Sequence, residues 1–507
     1  MSEQPTVRIA EGLVEGRRRG EHAVFRGIPY ARPPVGPLRF QAPVPVEGWH
    51  GTKQATEFGP AVPQAGPTAE GSADDDWLTL NVSTPGLGRA GTAGLPVLVW
   101  IHGGAYIAGA SSDPMYDPAA LTDAGLVVVS INYRMAAEGF VLLEGAPANR
   151  GFLDQIAALA WVQRNIAAFG GDPDRVTVAG QSAGAGSIAA LLTMKRARGL
   201  FARAIAHSVP GLLCTPALAK EVAAALADRV RATPDAEALA RVDPLRLAGE
   251  LTALGAELPG RRARWGRLSQ LGVAVCPVLD GVVLAETPWT ASADGGAEAG
   301  GAGGIDLLVG HTRDEFRLFS VMMGRLGTFT ENDARTALDL FAPALDGADA
   351  YRAAYPAATP EELVELVHSD ALFRMPSLQL AEANQAAGGT SFLFELQLSA
   401  PGAGGILGAC HSLDVPLAFG TLDSPTGRQL FGDRPTAEAA AVSLELRQAW
   451  VRFATTGDPG WPAYRPGQGL TRVLDVESTT SPYPEAASRA IWEGHDPAPL
   501  DLTEPTI

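Results

Sequence analysis

Residues 175–193 read RVTVAGQSAGAGSIAALLT. Arg175–Gly180 is a β-branched apolar run, and Ala183–Met194 is rich in small residues and leucine, so a strand gives way to a helix within a few residues. The turn between them, Gly180-Gln181-Ser182-Ala183-Gly184, has the form G-x-S-x-G. So sharp a turn strains the central backbone, and flanking residues without Cβ let strand and helix close up. Ser182 therefore stands on an elbow, before the free N–H groups and positive dipole of a helix start. The pentapeptide alone would fit an ordinary turn serine. The strand-to-helix setting makes Ser182 a candidate nucleophile.

Working outward, residues 151–171 (GFLDQIAALAWVQRNIAAFGG) place Phe152, Ile156, Leu159, Val162, Ile166 and Phe169 at three- and four-residue steps. This predicts a helix stopped at Gly170-Gly171 and Asp172-Pro173. LPVLVWI (95–101) and GLVVVSI (125–131) are apolar without alternation, as in strands covered on both faces of a mostly parallel sheet. Strands alternating with helices imply right-handed crossovers and an α/β architecture. Pro29, Pro33, Pro34, Pro37, Pro43, Pro45 and Pro60 leave room near the N-terminus only for short strands and an irregular wrap.

Residues 216–256 read as Ala/Leu/Arg-rich helix, 277–281 (PVLDG) as a turn and 291–304 (ASADGGAEAGGAGG) as a flexible linker. IDLLVG (305–310) and SFLFELQL (391–398) return to strand. Several helices are expected over 331–388, and a last one ends at Gly457. No internal repeat is visible. The expectation is one doubly wound α/β domain over 1–507, with helical insertions at about 216–270 and 330–390.

The 507 residues are 46% hydrophobic, ample for a large core and outside the range of disordered or collagen-like chains. Thirty-nine Lys and Arg face 56 Asp and Glu, a net charge of −17, which disfavours nucleic acid as a partner. No apolar stretch reaches the ~18 residues needed to span a bilayer, and no secretory pattern opens the chain, so no membrane association and a cytoplasmic setting are expected. Cys214, Cys276 and Cys410 form neither a disulfide framework nor a zinc spacing. There is no H-E-x-x-H, the elbow has no lysine to hold phosphate, and no cofactor motif appears, so neither metal nor cofactor is expected. Asn81-Val82-Ser83 matches a glycosylation sequon within a strand-like run and is read as chance.

A serine hydroxyl needs a base, and the base needs a carboxylate to orient it. On this architecture the acid and then the histidine follow the serine along the chain. His368, His411 and His495 follow the candidate acid region. His368 lies on an amphipathic helix and reads as a solvated-face residue. His495 sits in a Pro-rich tail. His411 occupies a loop after GAGGILGAC and is the expected base. Asp314 and Glu315 lie just past a strand's C-terminal end, where open α/β sheets keep their sites; position does not choose between them. WIHGGA (100–105) ends an early strand in small residues, the kind of loop that offers N–H groups to an oxyanion.

Taken together, FRGIPYARPPVGPLRF, LTLNV, WIHGGAYIAG, INYR, NRGFLDQIAALAWVQRNIAAFGGDPDRVTVAGQSAGA, GHTRDEFRLF, CHSLDVPLAFG and WVRFATTGDPGWPAY resemble, in order and over nearly the whole chain, the type-B carboxylesterase (carboxylesterase/cholinesterase) family of α/β-hydrolases, in its bacterial para-nitrobenzyl-esterase-like branch. The resemblance implies a large, mostly parallel central sheet flanked by helices and a serine esterase acting on a small-molecule ester through an acyl-enzyme. It implies Ser182 as nucleophile, His411 as base, Glu315 rather than Asp314 as acid, and Gly104, Ala105 and Ala183 as oxyanion donors. The family's aromatic pair after the acid falls on Leu318 and Phe319, so one aromatic is absent, and Ser208 falls where it could support the acid. Four departures stand out: Gln181 for the glutamate before the serine, Phe316 for the glycine after the acid, Ala105 for a third glycine, and Trp77 for the first disulfide cysteine. Phe316 adds bulk beside the site. Alternative substrates are an amide, a carbamate or a toxin ester; the other class is a non-catalytic cholinesterase-like binding protein. Neither monomer nor homodimer is favoured.

Overall fold

The computed structural model describes residues 4–66, 75–87, 94–290 and 304–503. The strands in chain order are β1 (Thr6–Arg8), β2 (Leu13–Glu15), β3 (Arg17–Arg19), β4 (His22–Pro29), β5 (Thr52–Gln54), β6 (Thr79–Thr84), β7 (Leu95–Ile101), β8 (Val127–Ile131), β9 (Gly171–Gln181), β10 (Arg203–His207), β11 (Asp306–Thr312), β12 (Thr390–Leu396), β13 (Leu470–Leu474) and β14 (Thr479–Pro482). Strands β1, β2 and β5 make a small three-stranded sheet at the N-terminus. The other eleven form one mixed sheet in the order β14-β13-β12-β11-β10-β9-β7-β8-β6-β4-β3. From β8 to β13 every pairing is parallel, while β6, β4, β3 and β14 run antiparallel at the two edges.

The unbroken apolar runs are explained by burial on both faces. On β7, Val97, Val99 and Ile101 enter one core and Leu98 and Trp100 the other. Adjacent side chains of a strand point to opposite sides, so a strand between two cores has no polar face to alternate with. The helix after β8 spans Arg150–Asn165, tightens into a 3-10 turn over Ile166–Phe169 and stops at Gly170 with φ +85°. The last long helix, Ala437–Thr456, ends at Gly457 in the same left-handed conformation. The described residues contain no helix long and apolar enough to cross a membrane.

Between β10 and β11 the chain is helical over Pro216–Val230, Ala236–Leu239, Pro244–Glu257 and Arg262–Trp265. Between β11 and β12 lie helices Glu331–Phe341, Gly347–Ala354, Pro360–Ser369 and Met375–Ala386, the last two joined by a π turn at Asp370–Arg374. The linker expected at 291–304 lies outside the described residues apart from Gly304.

One expectation is corrected. His368 does not face solvent: it is buried, its ring stacks on Phe316 at 4.2 Å and meets Phe341 at 4.5 Å. Helix 360–369 is packed on the side its sequence pattern leaves polar, and His368 Nδ1 satisfies itself on the Val364 carbonyl at 2.7 Å. Burial lowers its pKa to about 4, so it is neutral packing.

Candidate active site

Strand β9 delivers the chain to Ser182 at the C-terminal edge of the parallel strands, and helix Ala183–Thr193 leaves from it. Ser182 has φ +55° and ψ −125°, a conformation that costs a non-glycine residue on the order of 1–3 kcal/mol. The surroundings fix it: its N–H donates to the His207 carbonyl at 2.9 Å, and its carbonyl accepts from Gly186 N–H at 2.9 Å. A Cβ on Gly184 would stand 2.0 Å from the Ile101 carbonyl oxygen, and one on Gly180 would stand 2.7 Å from the Gly184 carbonyl carbon. Those two glycines are what allow strand, helix and β7 to converge behind the serine.

The candidate oxyanion loop follows β7. Gly104 has φ +114°, and a Cβ there would fall 1.8 Å from the Ala108 carbonyl oxygen. Ala105 also holds a positive φ, +52°. Gly103 sits so close to the elbow that a Cβ on it would lie 3.2 Å from both Ser182 Cβ and Gln181 Oε1. Tyr133 holds the loop from beneath, its hydroxyl donating to the His102 carbonyl at 2.8 Å and its ring stacked on that histidine. Among the described residues, the N–H groups of Gly104, Ala105 and Ala183 have no acceptor. Backbone donors held in place and unspent are what a developing oxyanion needs.

The candidate acid and histidine come from loops after β11 and β12. Asp314 and Glu315 turn opposite ways. Asp314 pairs with Arg313 and accepts from Ala409 N–H at 2.8 Å, tying the two loops together. Glu315 is fully buried and points inward: Oε2 lies 2.5 Å from His411 Nδ1, while Oε1 accepts from Ser208 Oγ at 2.5 Å and Thr312 N–H at 2.8 Å. Burial alone would raise its pKa, but the positive charge His411 can carry and the bonds from His411, Ser208 and Thr312 outweigh it, so the carboxylate is held below its ordinary value.

With Nδ1–H directed at Glu315, neutral His411 presents Nε2 as an acceptor. Gln181 fills it: its side-chain Nε2 donates to His411 Nε2 at 3.0 Å. Ser182 Oγ makes no hydrogen bond among the described residues. Glu315 and His411 are therefore engaged with each other, and the other imidazole nitrogen is capped by the residue before the serine.

Aromatic rings pack around the imidazole. Phe319 lies 5.2 Å from the His411 ring and Phe373 4.4 Å from it, and the two are stacked on each other at 5.8 Å. Phe316 sits one ring further out, 5.7 Å from Phe319 and against His368. Leu318 packs with the core on the other face of the sheet. Phe373 did not emerge from the sequence. It lies in the π turn at 370–374, where one extra residue shifts the helical register, and no local pattern announces its contact with His411. Among the described residues, no group of three or more His, Cys, Asp or Glu is placed to hold a metal.

The sheet, the elbow serine and the loops that face it define an α/β-hydrolase. The chain belongs to the carboxylesterase family, whose model matches residues 3–487, and it is a carboxylic ester hydrolase of the serine type. It is 36% identical over 498 residues to the para-nitrobenzyl esterase of Bacillus subtilis (strain 168), covering 94% of this chain and 96% of that one. It is 33% identical to the phenmedipham hydrolase of Pseudarthrobacter oxydans, with 94% and 96% covered. The crystal structure of a Geobacillus stearothermophilus carboxylesterase matches with a TM-score of 0.83 and 34% identity over 96% of this chain and 99% of that one.

Proposed function

We propose that Ser182, His411 and Glu315 carry out the hydrolysis. A carboxylic ester enters over Phe319, and Gln181 yields His411 Nε2 as Ser182 Oγ turns toward it. His411 takes the serine proton while Glu315 holds the imidazole, and Oγ attacks the ester carbonyl. The N–H groups of Gly104, Ala105 and Ala183 hold the oxyanion. His411 then protonates the departing alcohol, water enters, and the same groups in reverse role release the acid.

The observation that carries this reading is the continuous chain of contacts from Ser208 through Glu315 and His411 to the elbow, ending beside three unspent backbone donors. Ser182→Ala tests it. Turnover of p-nitrophenyl butyrate should fall by about 10⁴-fold or more with the melting temperature retained; turnover near wild type ends the assignment.

The substrate is proposed as a small ester with a short acyl chain, because Phe319 and Phe373 crowd the histidine, with Phe316 behind them. The likeness to a phenmedipham hydrolase supports a second reading, the same machinery acting on a carbamate or amide. The ratio of kcat/KM on a p-nitrophenyl ester and its matching anilide decides between them. We further propose that the whole chain acts as one domain in the cytoplasm. Three buried, unpaired cysteines support that compartment.

A further inference from the structure

At the β3 edge of the large sheet, β3 and β4 bring three arginines to a cavity of about 380 Å³. Arg17 and Arg19 stand two apart on β3 and so share a side, and Arg26 joins them from β4, where the register against β6 shifts. Charged side chains on an edge strand commonly serve only to block pairing with another chain. Here they line a cavity that also holds Phe58, Trp100 and Tyr116.

Formal charges balance, Arg17, Arg19 and Arg26 against Glu57, Asp113 and Asp117, but each carboxylate is engaged by a group other than Arg26. The Asp117 carboxylate is occupied by Arg19, at 2.7 and 2.6 Å, and by Ala119 N–H at 3.0 Å. Asp113 caps the next turn through Met115 N–H at 2.8 Å, and Arg17 meets Glu57 at 3.5 Å. Arg26 has no carboxylate within 4 Å among the described residues; its guanidinium lies 4.0 Å over the Phe58 ring. Burial, and then the like charges of Arg17 and Arg19, push its pKa below the ordinary arginine value against the weaker opposing pull of Asp117 and Glu57. Two donors on residues that line the same cavity are also unspent. Trp100 Nε1 is buried without an acceptor, and the Tyr116 hydroxyl has no partner among the described residues. Burial, reinforced by Asp113, keeps that phenol protonated. A buried donor left unpaired costs free energy that an acceptor would recover.

We propose that this cavity binds an amphipathic organic monoanion: a carboxylate on an aryl or short alkyl body, with Arg26 as counter-ion and the aromatic rings around the body. A planar guanidinium matches a carboxylate edge to edge, and the volume lies within the range of small-molecule sites, about 300–1,000 Å³. An inorganic anion would satisfy Arg26 but leave the exposed Phe58 ring in water. The inference is independent of the roles given to Ser182, Glu315 and His411.

Titration calorimetry on the full chain, at physiological salt, tests it with sodium 4-phenylbutyrate, neutral 4-phenylbutanamide and inorganic phosphate. The carboxylate should bind measurably and lose roughly tenfold or more in affinity in Arg26→Gln, while the amide and phosphate bind far more weakly to wild type. Because Arg26 lies outside the catalytic site, product-like binding beside Ser182 would be identical in the two proteins, so a difference between them is diagnostic. Hydrolysis of p-nitrophenyl butyrate by Arg26→Gln should be unchanged, showing that it is folded. Phe58→Ala, at an exposed ring, is the second variant and should weaken 4-phenylbutyrate binding. Equal isotherms for wild type and both variants, absence of binding, or phosphate binding as tightly as the carboxylate would each overturn the proposal.

Discussion

Replacing Gln181 by glutamate exchanges one group of nearly constant size, 3.0 Å from His411 Nε2. In the resting site the Gln181 amide donates to Nε2, a bond that exists only while that nitrogen carries no proton. Gln181 thus favours the form of the base that can accept the serine proton. A carboxylate at the same place does the opposite, pairing with the imidazolium. Two unit charges 3 Å apart attract by about 5–6 kcal/mol at an effective dielectric near 20, the equivalent of roughly four pH units at 1.36 kcal/mol each. Dehydrating the new carboxylate offsets part of that, and opposite charges at this range typically move a titration by about one to three pH units. The sign is fixed: stabilising the protonated base leaves it inactive up to a higher pH. The acidic limb of the kcat/KM profile for p-nitrophenyl butyrate should move up by about one to three pH units in Gln181→Glu, with activity recovered on the alkaline side. Each pH unit of movement is a tenfold loss for measurements made below the limb. Gln181→Met, which removes the donor without adding charge, should move the limb the same way by less. Superimposable limbs for wild type and Gln181→Glu, in a variant active at alkaline pH, would refute the placement of Gln181 on the working base.

Gly104→Ala forces a Cβ to 1.8 Å from the Ala108 carbonyl at φ +114°, so the oxyanion loop must rearrange; kcat should fall by about 10²–10³ with little change in KM, read from steady-state kinetics. Ser208→Ala removes one of the two hydrogen bonds to Glu315 Oε1 and should cost about 1.5–3 kcal/mol at neutral pH. Because the folded-state pKa of Glu315 is depressed, its stabilisation is present above the unfolded value and lost as pH falls through the folded value. Losing the Ser208 donor raises that folded value, so acid unfolding followed by circular dichroism should begin at a higher pH. Asp154→Ala strands Arg134, whose pair with Asp154 at 2.7 Å is entirely buried, and should lower unfolding free energy in urea by about 3–5 kcal/mol.

What the sequence discloses here depends on whether a signal is local. The covered strands and the elbow are legible because burial on two faces leaves unbroken apolar runs, and because close approach behind Ser182 admits only glycine at positions 180 and 184. Asp314 and Glu315 are indistinguishable in a linear pattern. Their roles separate only when Ala409 N–H and Arg313 take one carboxylate while His411, Ser208 and Thr312 take the other. His368 misleads for a related reason. A helical stripe reports the face that meets the nearest core, yet this helix is covered a second time by Phe316 and Phe341, from segments distant in the chain. Phe373 is hidden by the π turn that brings it to His411.

Gln181 shows where local and long-range information meet. Its position before the serine can be read from the pentapeptide, but its effect is set by which way an amide points once a loop 230 residues away has folded against it. An amide can donate to neutral imidazole without creating a buried charge, whereas an ionised carboxylate there can only accept and so pairs with the imidazolium. The amide therefore suits a base that must be unprotonated before substrate arrives. In the proposed mechanism it does so at the expense of the hydrogen bond that Ser182 needs, so the serine would acquire its base only when Gln181 gives way. On that proposal attack is tied to the arrival of something that displaces the amide, and Gly103, where a Cβ would lie 3.2 Å from both Gln181 Oε1 and Ser182 Cβ, marks the place from which a substrate would do it.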